Sequence, residues 1–337
     1  MILVTGGTGL VGAHLLYQLA QEHESILAIH RETSNLELVK HVFGYYTENA
    51  ASLFSKIEWK KADLTDISSL QKLFDRPIQH IYHCAAMISF ERKDYYTLRS
   101  VNIKGTANLV NLALLNRVEK FCFVSSIAAI DKHPERAVIT EEDDWNSERA
   151  HHGYAITKYG AEMEVWRGSQ EGLQTVIVNP GVILGAGIWN SGSGKLFREL
   201  YHGFKFYTKG STGFVGVEDV VQCMIRLMGS PIANERFILV GENLSYKEVL
   251  HTIADELGVK KPSIHINRPL SELVWRLDAI RGLFASKRKL TKHMARSGQS
   301  SSYYSAEKIS KALPFKFRPI KEVIKEVAGQ YKQDLPS

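Results

Sequence analysis

Tyr154 and Lys158 stand four residues apart in the stretch Tyr154-Ala-Ile-Thr-Lys158. Side chains so spaced share one face of a helix, which can bring an ammonium near a phenol. A free phenol has a pKa of about 10, and a fixed positive charge beside it lowers that value, making proton exchange near neutral pH feasible. The spacing occurs three times, at Tyr154/Lys158, Tyr201/Lys205 and Tyr304/Lys308, so by itself it decides nothing. Position separates the three. Only Tyr154 opens a helix downstream of an apolar strand, Phe121 to Val124, that ends in two serines, Ser125 and Ser126. Adjacent strand residues point to opposite faces, so at most one of these serines can face a substrate while the chain is extended. Alternation alone leaves both open.

A second chemical signal occupies the first twelve residues, Met1-Ile-Leu-Val-Thr-Gly-Gly-Thr-Gly-Leu-Val-Gly12. Ile2 to Val4 reads as a buried strand, and Leu10 to Ala20 as a helix, with Gly6, Gly7, Gly9 and Gly12 around the turn between them. Strand, glycine turn, helix is the layout of a dinucleotide-binding unit. Glycines let the backbone turn tightly and let a pyrophosphate approach main-chain N–H groups at the helix N-terminus. Gly7-x-Gly9-x-x-Gly12 supplies the expected string in the context that gives it meaning.

In NAD-binding units an acid about 20 residues beyond the glycines takes the adenosine ribose hydroxyls. At the end of the second strand, Ile26 to Ile29, this chain carries His30 and Arg31 instead. An arginine can clamp a 2′-phosphate with two parallel hydrogen bonds, whereas an acid would repel it. NADP(H) is therefore favoured over NAD(H). The third strand runs from Ile57 to Leu64, and Asp63 at its end can either accept the adenine amino group or cap the next helix.

The elements that must position these groups alternate along the chain. A helix over Ser34 to Tyr46 precedes the third strand; the fourth, Ile78 to Met87, closes on the small residues Cys84, Ala85 and Ala86, which suit close passage of a cofactor. A long helix from about Lys93 to Asn116 and a sixth strand over Gly172 to Pro180 follow. Near-continuously apolar strands alternating with helices predict a parallel sheet covered on both faces. The expected fold is α/β, a Rossmann-type doubly wound parallel sheet with a smaller mixed, mainly helical C-terminal substrate lobe. Residues 1–180, with a returning segment of about 212–240, form the NAD(P)-binding domain; 181–211 and 241–337 form the substrate lobe.

Composition bounds the rest. The chain has 337 residues, 44% hydrophobic and 23% charged, and a net charge of +6, too mild to argue for nucleic acid without a binding motif. No apolar run approaches the roughly 18 residues of a membrane span, and Met1 leads directly into a core strand, leaving no room for a leader. Cys84, Cys122 and Cys223 have neither disulfide nor metal-ligand spacing. The expected setting is the cytoplasm, and the expected partner is a small-molecule substrate, with a homodimer allowed for.

The Gly6/Gly9/Gly12 loop, Asp63-Leu64, Asn102, Ser126, the Tyr154/Lys158 pair and Asn179-Pro180-Gly181 together resemble the extended short-chain dehydrogenases/reductases. The resemblance runs from Met1 to about Val220. It looks most like the dihydroflavonol-reductase and 3β-hydroxysteroid-dehydrogenase branch and is also similar to the nucleotide-sugar epimerases and dehydratases. It implies that Tyr154 is the general acid/base and that Lys158 holds the nicotinamide ribose while lowering the tyrosine's pKa. By the same resemblance Ser126 hydrogen-bonds the substrate oxygen, and Asn102 joins these three as a catalytic candidate. Pro180, Gly181 and Val182 would border the nicotinamide amide. Gly6, Thr8, Gly9, Leu10, Val11, Gly12, His30, Arg31, Asp63, Leu64, Ala85 and Ala86 would line the rest of the cofactor.

The chain departs from the pattern at Gly216, where relatives carry a polar or charged residue, and at His30, where an acid would signal NAD. Arg268, Arg276, Arg281 and Arg288 could each serve as the sugar-nucleotide arginine of the epimerases, but their spacing matches no motif. In that basic stretch, Arg268 to Arg296, the residues Trp275, Leu277, Ile280, Leu283 and Phe284 give an apolar helical face. This predicts a surface helix packed on its own domain, the sharper reading being a phosphate-bearing substrate or a membrane surface. His151-His152 lacks the surroundings of a metal site, and no metal is expected. The expected function is an NAD(P)-dependent oxidoreductase acting on a ketone, aldehyde or secondary alcohol. The alternative is an epimerase or dehydratase that retains its cofactor; a non-catalytic dinucleotide-binding module should have lost Ser126, Tyr154 or Lys158, and all three are present.

Overall fold

The computed structural model describes residues 1–267 and 298–335. Seven parallel strands form the main sheet: β1 (Ile2–Thr5), β2 (Ile26–His30), β3 (Ile57–Lys61), β4 (His80–His83), β5 (Lys120–Val124), β6 (Gln174–Pro180) and β10 (Glu235–Leu239). Their order is β10-β6-β5-β4-β1-β2-β3. The direction of winding reverses between β1 and β4, which opens a crevice at the carboxyl ends of these two strands.

Apolar runs buried on both faces account for these strands. Leu3, Leu27, Phe121 and Ile177 face one core, which they share with Leu109 and Val165 of the helices Gly105–Leu115 and Gly153–Gln170. Their neighbours Val4, Ala28, Cys122 and Val176 face the other, with Leu15 of the helix Leu10–Glu22 and Val221 of the helix Val217–Met228. Phe121 and Phe123 are fully buried, and each contributes about 1.5–3 kcal/mol by leaving water.

Beyond Pro180 a second lobe has its own core of Leu184, Phe197, Phe214, Ile253, Val327 and Tyr331. It contains the strands β7 (Val182–Leu184), β8 (Phe206–Tyr207), β9 (Ser211–Gly216), β11 (Glu242–Ser245) and β12 (Ile264–His265). These make a three-stranded sheet, β11-β9-β7, and a pair, β12-β8. The returning segment expected at 212–240 is thus divided. The Val217–Met228 helix and β10 return to the main sheet, while β9 pairs with β7 and β11. Alternation explains the split: Phe214 packs into the lobe and Val215 into the main core.

The helix expected over Lys93 to Asn116 is interrupted. A π-helical stretch, Arg99–Lys104, lies between the short helix Tyr95–Leu98 and the helix Gly105–Leu115, a departure often found beside functional sites. The third strand stops at Lys61, and Asp63 lies in the turn after it. No helix among the described residues is long and apolar enough to cross a membrane. The basic stretch Arg268 to Arg296 lies outside the described residues.

Candidate active site

The glycine turn after β1 is fixed by contact distances. Gly6 has φ +69, and a Cβ there would lie 2.5 Å from the Ala85 backbone nitrogen just beyond β4. A Cβ on Gly12 would sit 2.1 Å from the Gly6 carbonyl oxygen, so no larger residue fits either place. The Gly9 N–H donates to that same oxygen at 2.9 Å. Gly9 is also the N-cap of the Leu10–Glu22 helix, which has neither a capping side chain nor an acid in its first turn. The N–H groups of Leu10, Val11 and Gly12 therefore present the positive end of the helix to the crevice beside Thr8 and Ala85. This cradle fits the pyrophosphate of a dinucleotide.

At the far end of β2, the His30 ring pairs through Nδ1 with the Arg31 carbonyl at 3.0 Å. Arg31 is exposed, its main-chain N–H bonded to Ser34 Oγ at 3.1 Å. Asp63 accepts from the Thr65 N–H at 2.8 Å and the Thr65 hydroxyl at 2.6 Å. Those two bonds, aided by the charge of Arg31, hold its carboxyl below the usual range. Asp66 caps the next helix, accepting from Ser68 N at 3.0 Å, so the capping role weighed for Asp63 falls to its neighbour. Leu64 is buried, its carbonyl bonded to Asn108 at 2.9 Å.

The catalytic candidates meet at the carboxyl ends of β5 and β6. Ser125 and Ser126 diverge, as alternation requires. The Ser125 hydroxyl is buried and donates to Glu162 at 2.6 Å, while the Ser126 hydroxyl lies on the side of the Tyr154 phenol. Ser126 Oγ also accepts from Ala128 N at 3.1 Å, which starts the short 3-10 turn Ile127–Ala129. Tyr154 sits in the first turn of the Gly153–Gln170 helix, whose N-cap is His152.

Lys158, one turn further on, is 2% exposed. Its Nζ donates to the Val124 carbonyl at 2.6 Å and lies 4.4 Å from the centre of the Phe123 ring. Burial pushes its pKa down to about 8, against the raising charge of Glu162. Lys158 is not among the influences on the Tyr154 phenol. Burial pushes the phenol up to about 12, and the Ser126 hydroxyl beside it opposes that rise.

Asn102 does not join these three through its side chain. The amide brackets the loop after β4, accepting from Met87 N at 2.8 Å and donating to Met87 O at 3.0 Å. A third bond goes to Thr157 Oγ1 at 3.0 Å, on the helix of Tyr154 and Lys158. Asn102 thereby ties Met87, in the loop after β4, to that helix. Pro180 ends β6, and Gly181 turns the chain out of the sheet, its N–H bonded to Leu239 O at 3.0 Å. A Cβ on Gly181 would strike Gly213 O at 2.4 Å. Val182 then opens β7. The other two tyrosine–lysine pairs lie elsewhere: Tyr201 is exposed, and Lys308 pairs with Glu235.

A family model for the NAD dependent epimerase/dehydratase family matches residues 2–241. The chain belongs to that family. Among relatives of this epimerase/dehydratase-family chain, the sterol demethylase protein B of Methylococcus capsulatus is 28% identical over 270 residues, 78% of this chain and 76% of its own. A putative dihydroflavonol 4-reductase of Synechocystis is 25% identical, covering 98% of this chain and 94% of its own. The UDP-glucose 4-epimerase of Thermotoga maritima, solved with UDP-glucose, superposes with a TM-score of 0.78 at 17% identity over 98% of each chain, a likeness of fold.

Two groups at the site escape sequence reasoning. Glu162 follows Lys158 by four residues, the same spacing that picks out the Tyr154 pair, yet a lone glutamate on a helix carries no signal. His83, the last residue of β4, is fully buried between the hydroxyls of Thr5, at 2.6 Å, and Thr106, at 2.9 Å.

Proposed function

We propose that this chain is an NADP(H)-dependent oxidoreductase that interconverts a ketone or aldehyde and the corresponding alcohol. The reading is carried by the placing of the Ser126 hydroxyl beside the Tyr154 phenol at the carboxyl end of β5, with Lys158 one helical turn away. The cradle of Gly6, Gly9 and Gly12 would hold the pyrophosphate, Arg31 the adenosine end, and Pro180 to Val182 the nicotinamide end. Bound there, the cofactor supplies or accepts the hydride.

The remaining steps belong to the chain's own side chains. Ser126 and Tyr154 offer two hydroxyl donors to one carbonyl oxygen, fixing its position and stabilising charge that develops on it. Tyr154 Oη gives that oxygen its proton. With its pKa pushed up to about 12, the phenol stays protonated throughout the neutral range, which suits an acid in the reducing direction. Lys158 contributes a buried positive charge beneath the site.

The test is a screen of the purified protein with NADPH and NADH against ketones and aldehydes, following the absorbance of reduced nicotinamide. Net oxidation of NADPH that falls by about 10²-fold or more in Tyr154→Phe, with cofactor binding intact, supports the reading. Tyr201→Phe and Tyr304→Phe should leave the rate near that of the parent. A protein that keeps its nucleotide through purification and oxidises none in net would instead act as an epimerase or dehydratase, returning the hydride to the same molecule.

A further inference from the structure

Lys158 is an ammonium almost wholly withdrawn from water, bonded to the Val124 carbonyl and set over the face of the Phe123 ring. Burial favours the neutral form of a lysine. The groups facing it are His83, from β4, and Cys84, just beyond that strand, with Phe123 and Val124 of β5 and, on its own helix, Glu162. Of these, Glu162 is the carboxylate, and its charge is the largest influence opposing loss of the lysine's proton.

Glu162 is 0% exposed. Its Oε2 accepts from Ser125 Oγ at 2.6 Å and Asn179 Nδ2 at 2.9 Å. Its Oε1 accepts from Arg236 Nη1 at 3.3 Å and Trp166 Nε1 at 3.4 Å. Four donors surround two oxygens, the arrangement that suits an acceptor-only carboxylate. Arg236 is held in place by the carbonyls of Glu141, at 2.6 and 2.9 Å, and Asp143, at 2.8 Å. Asn179 Nδ2 is shared between Glu162 and the Ser126 carbonyl, at 3.1 Å. The Asn179 Oδ1 is buried without a partner, an orientation that persists because turning the amide over would set oxygen against carboxylate.

We propose that Glu162 is a positioning residue for the reaction: its buried carboxylate is the counter-charge of Lys158 and, through Asn179, anchors the backbone of Ser126. This inference rests on the oxidoreductase reading for its chemistry, while its electrostatic part stands apart from turnover. A purely structural Glu162 would only fasten β10 to the helix through Arg236.

The test is an NMR pH titration of the full-length protein carrying ¹³C at lysine Cε, with the Lys158 signal identified by its loss in Lys158→Met. Glu162→Gln keeps the shape and removes the charge, and should lower the Lys158 midpoint by about one pH unit or more. Glu162→Asp retains the charge and should restore most of the shift. Arg236→Gln should move the midpoint the other way, since Glu162 then has no competing cation. Should Glu162→Gln fail to fold, the Arg236→Gln arm still decides. An unmoved midpoint in Glu162→Gln, or a fall in Arg236→Gln, overturns the proposal. In the enzymatic assay, the alkaline limb of the pH–rate profile should follow the NMR midpoint. A midpoint that moves while the limb stays put removes Lys158, and the oxidoreductase role given to it, without touching its coupling to Glu162.

Discussion

Ser125 and Ser126 are consecutive, yet one hydroxyl turns inward to Glu162 at 2.6 Å and the other meets the phenol of Tyr154. Their replacement by alanine should therefore have different consequences. Ser126→Ala removes a donor to the substrate oxygen and should lower turnover by about 10²-fold with little change in stability. Ser125→Ala breaks a buried bond to a carboxylate and should cost about 1.5–3 kcal/mol in urea unfolding. Steady-state kinetics and denaturation of the two variants check this; greater loss of turnover than of stability in Ser125→Ala would reverse the assignment.

The pH dependence of ketone reduction should be one-sided. Tyr154, pushed up to about 12 by burial, remains the protonated donor across the measurable range. Lys158, brought down to about 8 by burial, loses its charge within it. The rate should be level from about pH 6 to 7 and decline with the loss of one proton as pH rises through about 8. A decline on the acid side instead would point to another group.

Arg31→Ala should weaken NADPH binding by about ten- to a hundredfold, the scale of one charge-assisted bond of roughly 1.5–3 kcal/mol. Because Arg31 is exposed, NADPH affinity in the parent should also fall with added salt. NADH binding should change little. Calorimetric titration of both cofactors measures this, and equal losses for NADPH and NADH would remove Arg31 from the 2′-phosphate.

His83 should sensitise the fold to acid. Burial, followed by repulsion from Lys158, holds its pKa down at about 3. The folded value lies below the unfolded one of about 6.5, so the stability contributed is present above 6.5 and lost as pH falls toward 3. The slope is up to about 1.4 kcal/mol per pH unit. Glu218, raised to about 7, acts with the opposite sign above about pH 4.5, so comparison with a variant isolates the histidine. His83→Gln should be less stable than the parent at pH 7.5, with the gap closing as pH is lowered from 6.5 to 4.5. A gap independent of pH in urea unfolding would exclude His83 as the acid-sensitive group.

The parts of the site legible in sequence are those fixed by local geometry. Gly6 and Gly12 were readable because a tight turn and a helix laid against it leave no room for a Cβ, whatever the rest of the chain does. Strands β1, β2, β5 and β6 were readable because a sheet buried on both faces demands uninterrupted apolar runs. The resemblance marks Asn102 as a catalytic candidate, but its work as a bracket between Met87 and Thr157 depends on a π turn that no periodicity announces.

By itself the sequence determined the order of strands and helices along the chain, the glycine turn and the placing of Tyr154 and Lys158 one turn apart on one helix, since each depends on contacts within a few residues. Tertiary structure alone decided the division of β9 from the main sheet, the burial of Ser125 against Glu162 and the direction of the Tyr154 shift. It also brought Arg236 to Glu162 across 74 residues of chain. Burial is what separates the two sets: spacing shows which side chains share a face, whereas desolvation, and the partners that offset it, exist only once distant strands have closed around them.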